Sequence, residues 1–117
     1  MKFYICEHCG NIVTFLQSSG VPVMCCGQKM TELVPDSTDA AQEKHVPVVT
    51  VEGSMGSAPH PMIPEHYIQW VALETTEGCQ IKYLEPGQAP EVKFALAPGD
   101  RVKAAYAYCN LHGLWRA

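Results

Sequence analysis

Charge is scarce in this chain of 117 residues, and positive charge scarcer still. Charged residues are 17% of the total, with 12 acidic against 8 basic, for a formal net charge of -4. A general nucleic-acid binder needs a basic surface, so that class is a poor reading. No apolar run approaches the roughly 18 residues that a membrane span requires. Only Phe3-Tyr4-Ile5 stands between Lys2 and Cys6, too little for the apolar core of a secretion signal. No convincing long helix, internal repeat or low-complexity tract is present. These absences predict a cytoplasmic protein that engages neither nucleic acid nor membrane. At 47% hydrophobic the balance is globular rather than disordered. The length suits one ordinary domain, or a small domain with a very small companion.

Against that plain background stand six cysteines and five histidines. In a reducing compartment disulfides explain six cysteines poorly, and metal binding explains them better. Cys25 and Cys26 are neighbours, where a disulfide would strain the backbone but two thiolates on one metal would not. Four cysteines fall within residues 6–26, whereas His45, His60, His66 and His112 are all later. The chain therefore divides into two chemical districts.

The first district, residues 1–34, is short, rich in turn residues and poor in aliphatics. It cannot bury much core, so coordinate bonds must hold it. A polar stretch predicts a linker over 35–42. The second district, 43–117, reads as all-β. Strands are expected over 46–51, 67–73, 80–84, 91–96 and 101–108, separated by turns such as Pro98-Gly99-Asp100. Strands at this spacing predict a β-sandwich, with a fibronectin III-like flavour at Leu96-Ala97-Pro98-Gly99.

Cys6-Glu7-His8-Cys9 is a Cys-x2-Cys pair, followed after fifteen residues by Cys25-Cys26. Four thiolates on two short turns make a tetrahedral sulfur site that suits iron or zinc alike. Gly10 and Gly27 let the backbone fold around such an ion. With that set complete, His8 reads as an exposed loop residue.

His60 and His66 flank a loop stiffened by Pro59, Pro61 and Pro64. Cys109 and His112 follow a predicted strand, and His45 opens the β region. Five donors exceed a closed tetrahedral zinc site. One thiolate among imidazoles suits iron, and an octahedral ion would keep one position open. Glu43-Lys44 beside His45 would be an ordinary solvated pair elsewhere. Next to an open metal position, Lys44 could attract a small anion and Glu43 could close the oxidised site. A local cation matters because the chain as a whole is acidic.

Together these residues resemble the desulfoferrodoxins, the two-iron superoxide reductases, over nearly the whole chain. Cys6-x2-Cys9 with Cys25-Cys26-Gly27 is similar to their desulforedoxin-like module. Glu43-Lys44-His45-Val46-Pro47, His60-Pro61-Met62, Glu65-His66-Tyr67-Ile68 and Cys109-Asn110-Leu111-His112-Gly113-Leu114-Trp115 resemble their catalytic segments. The resemblance implies an Fe(Cys)4 centre on Cys6, Cys9, Cys25 and Cys26. It implies a second iron held by His45, His60, His66 and His112, with Cys109 as the axial thiolate. It further implies that Lys44 draws in superoxide and Glu43 closes the ferric site. The implied fold is a small metal-bound domain followed by an immunoglobulin-like sandwich, usually as a homodimer. The implied activity is one-electron reduction of superoxide to hydrogen peroxide, with a rubredoxin-like protein as electron donor.

The stretch 48–57 is shorter than the family's usual one, which leaves a hairpin there trimmed. Cys79 matches no ligand position and is expected to be a buried or half-buried thiol at a strand end. Two rival classes are a pure electron carrier built on the four-cysteine iron and a zinc-stabilised binding module. The first leaves the Glu43-Lys44 pair and the second donor set without a use. The second makes the histidine cluster incidental.

Overall fold

A computed structural model describes residues 1–37 and 61–117. The expectations for Glu43, Lys44, His45, His60, the strand at 46–51 and the short stretch 48–57 lie outside the described residues. The chain forms two compact units, Met1–Val34 and Pro35–Ala117. Both are built of strands, and the described residues contain no helix.

The first unit has five very short strands: β1 (Phe3–Ile5), β2 (Ile12–Thr14), β3 (Met24–Cys25), β4 (Gln28–Lys29) and β5 (Thr31–Glu32). β1 lies between β2 and β5 in one antiparallel sheet, while β3 and β4 form a separate hairpin. Strands of two or three residues supply little to pack. Phe3 and Cys6 are its buried apolar residues, whereas Leu16, Val21, Met24 and Val34 are all more than half exposed. A unit of this size with so small a core needs a covalent or coordinate tie.

The second unit is a β-sandwich. Its described residues include the sheet β7-β6-β8-β9, antiparallel throughout, with β6 (Ile68–Thr75), β7 (Cys79–Tyr83), β8 (Val102–Cys109) and β9 (Gly113–Arg116). Three of these sit within two residues of the expected strands. β-branched and aromatic residues fill them, as a pleated, packed surface favours. On one face Ile68, Val71, Leu84, Val92 and Ala107 form a core, with Met62 and Phe94 against it. The other face is buried too, since Ala72, Tyr106 and Leu114 are each at most 3% exposed. The alternation in 101–108 therefore separates two packed faces rather than inside from outside.

The structure departs from the sequence reading in three places. Residues 92–96 form no strand. Two of their carbonyls accept from side chains of β7: Gln80 Nε2 donates to Ala95 O at 2.7 Å, and Lys82 Nζ donates to Lys93 O. Side-chain bonds thus stand where ladder bonds were expected, although Val92 and Phe94 still reach the core. Strand β9 was not expected, because four residues after a turn show too little alternation. Cys79 does open β7, but it is exposed rather than buried. It sits on the sheet's outer strand, where a position in the register carries no guarantee of cover.

Three features place side chains at one end of this sheet. Ile63 and His66 close a tight turn through two backbone bonds, at 3.1 and 3.0 Å, with Pro64 and Glu65 between them. Pro64 presets the φ that the second position of such a turn requires. The Cys109↔Gly113 pair closes the β8–β9 turn, and Gly113 has φ 78°, which glycine adopts without strain. β6 begins just after the first turn and β8 ends just before the second.

Candidate metal centres

In the first unit, each sulfur pair sits on its own turn. Gly10 N–H donates to Cys6 O at 2.8 Å, which folds the Cys6–Cys9 loop back on itself. Cys25 and Gln28 are paired across the β3–β4 hairpin, leaving Cys26 and Gly27 as its two turn residues. Both have positive φ, 52° and 74°, as a type I′ turn requires. Glycine takes that conformation freely. Cys26 takes it at a cost of about 1–2 kcal/mol, and the turn brings two adjacent thiols to the same place.

The four ligand atoms lie within 4.8 Å of one another. Cys9 Sγ and Cys25 Sγ are 3.6 Å apart. Tetrahedral coordination at about 2.3 Å places ligand sulfurs about 3.8 Å apart, so the cage has the size of an ion site. No cysteine is in a disulfide. His8, exposed, stands outside the cluster, as expected.

The thiols also show why a cation is needed. Cys6 is pulled down to about 6, first by the backbone N–H of Cys9, which donates to its sulfur at 3.5 Å. Cys25 is pushed up by Cys9 and Cys6. Cys26 is pushed up to about 12 by the same two neighbours. The Cys6 thiolate forms readily, while Cys25 and Cys26 hold their protons more tightly than usual. A bound cation would let all four sulfurs ionise together at this spacing.

In the second unit, His66, Cys109 and His112 place their ligand atoms within 4.8 Å of one another. Cys109 Sγ is 4.0 Å from His112 Nδ1. The His66 and His112 rings meet edge to face at 5.0 Å, with 80° between their planes. Cys109 is 1% exposed. Burial pushes its thiol up, while the backbone N–H groups of Leu111 and His112 pull the other way. Trp70 stacks on Tyr108, the residue before Cys109, at 5.3 Å and 7°, steadying the end of β8. The donor set, one thiolate with imidazoles, suits a transition metal. Three convergent donors are enough to define a candidate metal site.

Sequence reasoning missed two residues here. Trp115 Nε1 donates to His112 O at 3.0 Å from a fully buried ring, pinning the backbone that presents His112. Asn110 bonds to the chain on both sides of His66. The only signal for either was its place inside the Cys109–Trp115 segment.

Among the described residues no helix is long and apolar enough to cross a membrane. Comparison with known proteins gives a consistent result across both units. The family model described as desulfoferrodoxin, N-terminal domain, matches residues 1–33, and the desulfoferrodoxin model matches residues 37–117. A desulfoferrodoxin from Desulfarculus baarsii is 42% identical over 122 aligned residues, covering 100% of this chain and 95% of that one. A superoxide reductase from Pyrococcus horikoshii is 38% identical over 101 residues, covering 68% of this chain and 88% of its own. The crystal structure of the superoxide reductase from Treponema pallidum superposes with a TM-score of 0.81 at 40% identity, covering 98% of each chain.

Proposed function

Because the chain belongs to the desulfoferrodoxin family, we propose that it is a superoxide reductase. The reaction takes one superoxide, one electron and two protons to one hydrogen peroxide. The observation that carries this reading is the convergence of His66, Cys109 and His112 at one end of the sandwich, in a chain similar over 98% of its length to a solved superoxide reductase.

In this reading Cys6, Cys9, Cys25 and Cys26 hold one iron. His66, Cys109 and His112 hold the other, with His45 and His60. Iron in the second centre would supply a one-electron couple for superoxide. The chain's own groups supply the rest. Cys109, once its proton is displaced, is the strongest electron donor of its set. Its place in a buried, hydrogen-bonded turn keeps solvent from it. Lys44 attracts superoxide to a protein whose net charge of -4 would otherwise repel it. Glu43 would supply a carboxylate to the oxidised centre. Protons come from water or a nearby acid. The electron comes from an external donor, for which a rubredoxin-like protein fits the family's habit. A homodimer in the cytoplasm, acting in superoxide detoxification, completes the reading.

Cys109→Ser tests the division of labour between the centres. The substitution is expected to abolish superoxide consumption and the visible spectrum of the mixed centre, while the sulfur-only centre keeps its spectrum. Full activity in that variant would remove Cys109 from the mechanism. Loss of both spectra would show that the two centres are not separable as described.

A further inference from the structure

Asn110 lies between Cys109 and His112, and its half-buried side chain reaches the segment that carries His66. The pairing of β6 with β8 ends at Ile68 and Cys109. One step further, the backbone N–H of Asn110 donates to Tyr67 O at 3.2 Å. The side chain then continues the ladder. Its Oδ1 accepts from Tyr67 N–H at 2.9 Å, and its Nδ2 donates to Glu65 O at 3.0 Å. A carboxamide presents one acceptor and a donor group in a plane, as a peptide does. It can therefore stand in for a strand where the real one turns away.

These bonds bracket His66 from both sides in the chain. His66 itself is tied to Ile63 by the two backbone bonds of its turn. The main chain at 65–67 is thus fixed along two edges, and only the side-chain torsions of His66 remain to set its ring. We propose that Asn110 is a positioning residue: it sets the distance and angle of the His66 imidazole relative to the Cys109–His112 pair. The proposal rests on the reading of that cluster as a metal centre. Asn110 needs to touch neither metal nor substrate. It acts on the backbone that carries one donor while belonging to the turn that carries the other two.

The test uses the full chain. One equivalent of zinc fills the all-thiolate site without colour, and cobalt(II) is then titrated into the second centre. The thiolate-to-cobalt absorption reports Cys109 as a ligand. Asn110→Ala removes both side-chain bonds. Asn110→Asp keeps the acceptor for Tyr67 N–H and loses the donor to Glu65 O. Val102→Ala trims an exposed side chain at the far end of β8. Loss of an orienting partner weakens metal binding by about ten- to a hundredfold. Asn110→Ala is expected to show that loss, with a shifted absorption band even at saturation. Asn110→Asp should fall between it and the unaltered chain, and Val102→Ala should match the unaltered chain. Unchanged affinity and band in the Asn110 variants, with only a lower melting temperature, would overturn the proposal by leaving Asn110 a purely structural role. An equal effect from Val102→Ala would overturn it too. If Asn110→Ala does not fold, Asn110→Asp decides by the same two readouts. An unaltered chain with no thiolate-to-cobalt band would instead refute the metal-centre reading beneath it.

Discussion

At the scale of single residues, the cysteines and histidines were legible because their chemistry is rare and their spacing short. Seven of them, Cys6, Cys9, Cys25, Cys26, His66, Cys109 and His112, converge into two clusters. The residues that hold those donors in place were not legible. Asn110 meets Glu65 and Tyr67 across more than forty residues of sequence, and no local pattern reports so distant a contact. Cys79 shows the converse limit: the sequence located it at a strand end, but exposure depends on what covers the strand. The residue whose proposed role is most open to direct test is Lys44. If it attracts the substrate anion, Lys44→Ala slows capture of superoxide by about tenfold or more at low ionic strength. The variant's rate should also respond less to added salt, since a screened attraction has been removed. Pulse-generated superoxide followed at several salt concentrations measures both effects, and unchanged rates would remove Lys44 from the mechanism.

At the scale of elements, long alternating strands were readable and short or side-chain-bonded segments were not. β6 and β8, eight residues each, stand out through aromatic and β-branched content. Residues 92–96 have the pattern of a strand, but β7 meets their carbonyls with the side chains of Gln80 and Lys82. Pattern alone cannot distinguish a backbone partner from a side-chain one. The β3–β4 hairpin shows an element whose sequence and geometry agree: Cys26-Gly27 fills a turn that demands positive φ twice. Gly27→Ala tests the demand. A methyl group there would meet nothing within 4 Å, so the cost is conformational, about 1–2 kcal/mol. That cost is expected as weaker metal retention by the four-cysteine centre in a chelator competition, with the second centre unaffected. Equal retention would show that the turn tolerates an ordinary residue.

At the scale of the whole molecule, two units solve the problem of stability differently. The sandwich buries both faces of its sheet, whereas the first unit buries almost nothing apolar besides Phe3 and Cys6. Its integrity then depends on an ion, and the ion must displace protons. Cys25 is held above its ordinary range and Cys26 near 12, so both remain thiols at pH 6.5 to 8 in the metal-free chain. Binding as thiolates releases at least those two protons. Metal affinity of this centre should therefore rise with pH, by about two logarithmic units per pH unit or more across that range. Competition with a chelator of known proton affinity measures the slope. A slope near zero would mean that the thiols are already ionised.

The function itself is a matter of electron and oxygen balance. Protein with its iron quantified, supplied with superoxide and a defined reductant, is expected to consume one reductant electron per superoxide and to form one hydrogen peroxide, without releasing dioxygen. Dioxygen released while the reductant stays unspent would mark a dismutase instead, and would contradict the reading of this chain as a superoxide reductase.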